Sequence, residues 1–364
     1  MRVGSQKKPI KDVGEFGLIR GISNLIRASK VGEYGVELGI GDDAALWRPR
    51  PGRSMVTTTD MLVEGIHFRH DWSNAESIGI RSLAVNVSDI AGMGGRPRIA
   101  VVSLGLRGNE TDRWVYEFYR GALKIAETYK FRIVGGDIVY APRATTVSVT
   151  INGEISPRKP PLMRDQARVG DVIGVTGPLG LAAGGVKLLT EDQRQLDGAP
   201  RMMEAHRRPE PRVLQGILLR WAGVRCGMDL SDGLLGDLPK ILERSEVSAE
   251  LIYDQLPIPH AVRWSFDDWF DLALRGGEDY ELLFTCPPEN FAVVEKLFKR
   301  FGCPAPTMIG TIEKPRESGS PIQLLQTDRR RSDLEPGAHE QFANVKTTRK
   351  KKKRASGTKA KAAS

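Results

Sequence analysis

Ile99-Ala100-Val101-Val102-Ser103-Leu104-Gly105-Leu106, an amphipathic run from Glu110 to Tyr129, and Arg132-Ile133-Val134-Gly135-Gly136-Asp137 follow one another in this chain. They read as strand, helix and strand, the second strand ending on a glycine pair and an acid. Short apolar runs bounded by turn residues fit buried strands, and apolar positions at helical spacing fit a helix packed on them. The pattern extends both ways. Met55 to Thr59 is strand-like and leads to Asp60; a helix from Ala75 to about Gly92 carries Asp89 in its last turns; Thr145 to Gly153 alternates as a half-buried strand. Ser156-Pro157-Arg158-Lys159-Pro160-Pro161 breaks regular structure, because proline removes donors and restricts its neighbour. Beyond it come a strand at Asp171–Thr176, a helix at Leu181–Thr190, a polar surface loop at Glu191–Pro200 and a helix at Pro211–Ala222. A strand at Val224–Leu230, a helix at Asp232–Ser245 and a strand at Tyr280–Thr285 follow. The fold class is α/β in two domains, with a flexible N-terminus at 1–13, domains at 14–155 and 162–342, and a tail at 346–364.

The acids at these strand and helix ends form a set: Gly39-Ile40-Gly41-Asp42-Asp43, Thr58-Thr59-Asp60, Asn86-Val87-Ser88-Asp89, Gly135-Gly136-Asp137 and Asp229-Leu230-Ser231-Asp232-Gly233. Any one of them alone is ordinary turn or cap chemistry. Taken together, several carboxylates beside Gly, Ser or Thr at the ends of buried strands point to one ligand site, because sites in layered α/β proteins gather there. Glycine lets backbone N–H groups approach a phosphate, and hard cations such as Mg²⁺ share carboxylates with nucleotide oxygens. The usual nucleotide signatures are missing: there is no Gly-x-x-x-x-Gly-Lys-Ser/Thr loop, and no His-Arg-Asp or Asp-Phe-Gly. Any ATP chemistry here uses another architecture.

The 364 residues, 40% hydrophobic, suffice for two domains with their own cores. Net charge is +9, and its placement is informative: from Lys346 onward there are nine basic residues and no acid, which leaves 45 Lys+Arg against 45 Asp+Glu in the body. The tail is too polar to offset the entropy of ordering, so it is expected to be disordered and to attract polyanions non-specifically. Cys226, Cys286 and Cys303 are scattered, with neither a disulfide framework nor a thiolate zinc site. The N-terminal residues lack the apolar stretch of a signal peptide and the longest apolar run is too short for a bilayer, so a cytoplasmic protein is expected.

Eight blocks, in order, resemble thiamine-monophosphate kinases of the aminoimidazole ribonucleotide synthetase (PurM-like) superfamily. They are Gly14-Glu15-Phe16, Gly39 to Leu46, Thr58-Thr59-Asp60, Gly65-Ile66-His67-Phe68, Ala84 to Gly94, Ile133 to Asp137, Asp229 to Leu234 and Gly276 to Leu282. The resemblance spans about residues 14–342. It implies a two-domain PurM-like fold, with an N-terminal ATP- and metal-binding domain built on a mixed sheet and a C-terminal α/β domain. It further implies a homodimer, and transfer of a phosphoryl group from ATP to thiamine monophosphate with several Mg²⁺ ions. Asp43, Thr58, Thr59, Asp60, Asp89, Asp137, Asp229 and Asp232 are the implied metal ligands. Tyr119, Gly136, Asp137, Arg164 and Ser231 are the implied ATP contacts, and His67 and Glu278 the substrate contacts. Asp42 is read as orienting Asp43 or capping the local turn. The other histidines, His206 among them, are read as structural or surface residues. The family's C-terminal aromatic is absent, and His339 stands in its place if Phe342 is held fixed. No general base is implied, because a phosphate monoester acceptor is already mostly a dianion at neutral pH.

Two rival readings remain. Another ATP user of the superfamily is one, but selenophosphate synthetase expects a reactive N-terminal Cys and the hydrogenase-maturation protein a C-terminal one, and neither is in this sequence. The other is nucleic-acid binding through Arg349–Arg354, against which the neutral body argues.

Overall fold

The computed structural model describes residues 8–337, so the basic tail and His339 lie outside the described residues. Along the first half run helices α1 (Ile10–Val13) and α2 (Glu15–Ala28), strands β1 (Val36–Leu38), β2 (Leu46–Trp47) and β3 (Ser54–Val63), helix α3 (Ala75–Gly92), β4 (Arg96–Leu106), α4 (Asp112–Tyr129), β5 (Arg132–Tyr140) and β6 (Thr146–Ile155). Strands β3, β6, β4 and β5 form a four-stranded sheet in that order, parallel only between β4 and β5. That one parallel pair is the strand–helix–strand unit read from 99–137, with α4 as its crossover.

The second half carries β7 (Val172–Val175), α5 (Leu181–Thr190), α6 (Ala199–Arg207), α7 (Val213–Trp221), β8 (Cys226–Asp229), α8 (Leu234–Ser245) and β9 (Ser248–Ile252). It continues with α9 (His260–Ser265), α10 (Trp269–Arg275), β10 (Leu282–Cys286), α11 (Pro288–Arg300), β11 (Thr307–Glu313), β12 (Ile322–Leu325) and β13 (Arg331–Asp333). Its seven strands order as β13-β12-β9-β11-β7-β10-β8, which puts β8, the strand ending at Asp229, on the edge nearest the first half.

Helix α3 joins the halves. Asn74 caps it, its side chain accepting from the Ser77 amide at 2.8 Å. Its sequence is apolar or small nearly all round, and almost every residue in it is buried. An all-apolar helix needs cover on every side; the first sheet and α4 cover one part of α3, and α7 and β8 the rest. Two glycines set how closely α3 and α4 approach: a Cβ on Gly79 would lie 2.0 Å from the Phe118 carbonyl oxygen, and one on Gly121 would lie 2.0 Å from that of Glu76. At the other end of α3, a Cβ on Gly92 would meet the Asp229 amide nitrogen at 2.9 Å. This close approach brings the last turn of α3, with Asp89, against the end of β8.

Three segments differ from the sequence reading. Residues 10–13, read as part of a flexible N-terminus, form α1, and the Ile10 amide bonds the Glu110 carbonyl at 3.2 Å. The polar stretch read as a loop to Pro200 gives way to α6, which starts at Ala199 with proline in its first turn, where the missing N–H costs nothing. Elements beyond Cys286 complete the second sheet and were not read from the sequence at all.

Candidate active site between the two sheets

Alternation along β3 puts Val56, Thr58, Asp60 and Leu62 toward α3 and leaves Met55, Thr57, Thr59 and Met61 more exposed. On the α3 side the Thr58 hydroxyl donates to Asp89 Oδ2, and the Asp60 amide donates to Asn86 Oδ1 at 2.9 Å. Asp229 arrives from β8, only 4% exposed, and accepts from the Ser88 hydroxyl at 2.7 Å. Thr58, Asp89 and Asp229, from three elements, line a cleft of about 420 Å³ together with Arg164, and Asp60 stands beside Asp89.

The three carboxylates feel one another. Burial, then the charge of Asp89, pushes Asp60 up to about 6. Burial also raises Asp89, opposed by the Thr58 bond and the Arg164 charge. Asp229 is pushed up to about 8 by burial first and the Asp89 charge second. Buried like charges of this kind are a standing demand for a cation. Among the described residues, no three His, Cys, Asp or Glu side chains are gathered closely enough to hold a metal ion by themselves. Carboxylates with a neighbouring hydroxyl are the oxygen donors that a hard cation such as Mg²⁺ takes, with waters and phosphate oxygens completing its shell.

A second group forms where α3, α6 and the 276–282 segment meet. Glu278 has φ +73° and its amide donates to the Ser231 carbonyl at 2.8 Å, which ties it to the Asp229–Gly233 loop. Its carboxylate pairs with Arg81 through Oε1 and with His206 Nδ1 through Oε2 at 2.8 Å; Arg81 and His206 are each 2% exposed. Burial alone would raise the Glu278 pKa, but the Arg81 charge and the His206 bond pull it down to about 2, so it stays a carboxylate. His67 accepts the Val63 amide proton at Nδ1, 3.0 Å away, which leaves its hydrogen on Nε2. Burial and then the Arg81 charge lower the His67 pKa, with Glu278 acting the other way. His67 and Glu278 therefore share one electrostatic neighbourhood.

Not every expected residue is brought to this cleft. Asp43 sits exposed on the β1–β2 connection, its amide donating to Asp42 Oδ1 at 2.9 Å. Thr59 bonds the Val149 carbonyl at 3.0 Å on the other face of β3. Asp137 is exposed on β5, in register with exposed Ser103, and its side chain accepts the Ile138 amide at 2.8 Å. Gly136 has a local reason, since a Cβ there would come within 1.8 Å of the Val102 carbonyl oxygen. Asp232 is paired with Lys240 at 2.5 Å rather than left free for a metal. Tyr119, read as a nucleotide contact, is 3% exposed inside the α3–α4 core with its ring edge toward Phe118, where helical periodicity puts it. Ser231 takes its place through the backbone, its amide and that of Asp232 both donating to Asp237 Oδ2 at 2.9 Å.

Sequence reasoning passed over Arg81, His206, Asp237 and Lys240. Polar residues inside the apolar stretch of α3, Arg81 and Asn86 above all, were the available signal, because buried polar groups need partners.

Residues 41–155 match the family model for AIR synthase related protein, N-terminal domain, and residues 168–321 match the one for AIR synthase related protein, C-terminal domain. The thiamine-monophosphate kinase of Bacillus subtilis (strain 168) is 34% identical over 331 residues, 90% of this chain and 99% of its own length. That of Salmonella typhimurium is 37% identical over 297 residues, covering 80% and 88%. Among solved structures, the thiamine-monophosphate kinase from Stenotrophomonas maltophilia K279a superposes with a TM-score of 0.75 at 36% identity, over 85% of this chain and 96% of that one. AaThiL complexed with AMPPCP and TMP gives 0.67 at 29% identity, over 91% and 98%. A hydrogenase maturation protein, HypE in complex with ATP, shares the fold at 19% identity with a TM-score of 0.70.

Proposed function

The chain belongs to the thiamine-monophosphate kinase family within the AIR synthase related proteins, and from that premise we infer that it catalyses ATP-dependent phosphorylation of thiamine monophosphate to thiamine diphosphate. It is a phosphotransferase whose acceptor is itself a phosphate. The observation that carries the site assignment is Asp89 and Asp229 lining a single cleft with Thr58 and Arg164, with Asp60 close enough that the charge of Asp89 raises its pKa.

Phosphoryl transfer depends on positioning and charge neutralisation rather than on covalent chemistry by the protein. Asp60, Asp89, Asp229 and Thr58 would hold Mg²⁺, and Arg164 would meet nucleotide phosphate. Bound there, Mg²⁺ supplies the positive charge that lets two anionic substrates approach. Asp232 would join as a ligand only on release from Lys240. The Nε2–H of His67 is a donor for an acceptor atom on the thiamine phosphate, and Glu278, fixed as a carboxylate, suits a positively polarised part of the same molecule. No side chain needs to remove a proton, since the attacking phosphate oxygen already carries charge.

Dimerisation through the outer face of the first sheet belongs to the same reading. Met55, Met61 and Val139 are 46%, 57% and 52% exposed on that face, an apolar surface that a second copy would cover. Thr59 and Asp137 share the face, so a partner would bring them near the join. Among the described residues no helix is long and apolar enough to cross a membrane, in keeping with a cytoplasmic enzyme.

The Mg²⁺ assignment is tested by Asp60→Asn and Asp89→Asn. An amide keeps the shape and removes the charge, so each variant is expected to lose about 10²-fold or more in turnover at limiting Mg²⁺ while melting no lower than the parent. Near-parental turnover in both would return these residues to purely structural roles.

A further inference from the structure

Behind the linker that follows β6 lies a second cavity of about 620 Å³ that shares no lining residue with the carboxylate cleft. Its wall carries Arg50, Arg53, Arg96, Arg158 and Lys159, with buried Arg220 at its base. The single carboxylate there, Glu154, is already engaged: Oε2 takes the Arg98 guanidinium at 2.9 Å and Oε1 takes the Arg50 amide at 2.8 Å. Among the described residues no carboxylate lies within ion-pair distance of Arg53, Arg96, Arg158 or Lys159. Arg220 is spoken for as well, bonding the carbonyls of Pro160 at 2.8 Å, Ser156 at 2.8 Å and Gly94 at 3.0 Å, which fixes the linker as the cavity floor.

We propose that this cavity is a binding site for a polyphosphate anion, separate from the catalytic cleft. Four cations without partners around one concavity repel one another, and an anion carrying several charges relieves that repulsion at once. The same repulsion is visible in Arg96, whose pKa is lowered by burial first and then by Arg98, Arg50 and Arg53. Arginine's planar fork suits phosphate oxygens in pairs, so several arginines favour a chain of phosphates over a single small anion. Trp221, 51% exposed on the wall, adds an aromatic face beside the cations. The shared chemistry is a linear polyphosphate, supplied either as an inorganic chain or on a nucleotide. This inference stands apart from the kinase assignment.

The test uses the full chain in EDTA, where the carboxylate cleft has no cation and repels polyphosphate. Inorganic tripolyphosphate and ADP are titrated separately by calorimetry into the parent and into Arg53→Glu/Arg158→Glu, which touches neither cleft nor core. Saturable one-site binding of tripolyphosphate, at least tenfold weaker in the variant, is the expected result. Parallel behaviour of ADP would identify a nucleotide source, and binding of tripolyphosphate alone an inorganic one. Kinase turnover without added polyphosphate, equal in the two proteins, checks that the variant is folded. Equal affinity in parent and variant, or no saturable binding of either probe, would overturn the proposal and leave attraction by the basic tail as the only polyanion contact.

Discussion

Arg81 is the residue on which the substrate end of the site depends. It is 2% exposed, and with His206 it holds Glu278 ionised beside His67. Arg81→Met leaves the half-buried Glu278 carboxylate without its main partner, and a lowered melting temperature is expected. The variant is expected to raise KM for thiamine monophosphate far more than KM for ATP, because Arg81 acts through Glu278; equal rises in both would reduce it to a packing role. The same contact predicts an acid limb. Glu278 is held at about 2 in the folded protein, against about 4.3 unperturbed, so its contribution is complete above the unfolded value and is lost as pH falls toward 2. His206, whose pKa burial lowers, works in the same direction, since an unfolded histidine takes up its proton sooner as pH falls. Urea midpoints measured from pH 7 to pH 3 should fall less steeply in Arg81→Met than in the parent. At this scale the sequence pattern of an acid beside glycine or a hydroxyl picked out Asp89 and Asp229, which line the cleft, but equally Asp43 and Asp137, which do not. Arg81 and Asp237 stayed unread because the partners that explain them are 197 residues away in one case and set by the loop geometry of 231–237 in the other.

Helix α3 shows why some elements were legible and others not. Its cap at Asn74, its mostly apolar or small residues and its end at Gly92 are all local, and the helix occupies Ala75–Gly92 as read. Helix α6 begins behind Gly198 at φ +77° with proline in its first turn, a start that resembles a loop when only composition is considered. Strands β11 and β12 both pair with β9, far away in sequence, which short-range pattern does not reveal. The α3–α4 contact also yields a prediction. Because any Cβ on Gly121 would lie 2.0 Å from the Glu76 carbonyl oxygen, Gly121→Val forces the helices apart. Overpacking of this kind costs about 1–3 kcal/mol, sometimes more, and a lowered melting temperature is expected. An unchanged melt would mean that the helices have slack at this crossing.

At the scale of the whole molecule, two sheets share helix α3, and one apolar core runs from α2 and α4 through α3 to α7 and α11. That continuity holds Asp89 on one half against Asp229 on the other. The composition of the halves was legible, whereas their sharing of a core was not, since it depends on α3 being covered from both sides. The exposed face of the first sheet predicts a dimer of about twice 40.2 kDa in sedimentation. Met61→Asp with Val139→Asp should shift it toward monomer, and a monomeric parent would refute the pairing.

The reaction itself is measured by chromatography of products after incubation with ATP, Mg²⁺ and either thiamine monophosphate or unphosphorylated thiamine. Thiamine diphosphate and ADP are expected in equal amounts from the monophosphate, abolished by EDTA, with little turnover of thiamine, because the site offers no base for a hydroxyl acceptor. Equal or faster phosphorylation of free thiamine, or no thiamine diphosphate from the monophosphate, would contradict the kinase assignment.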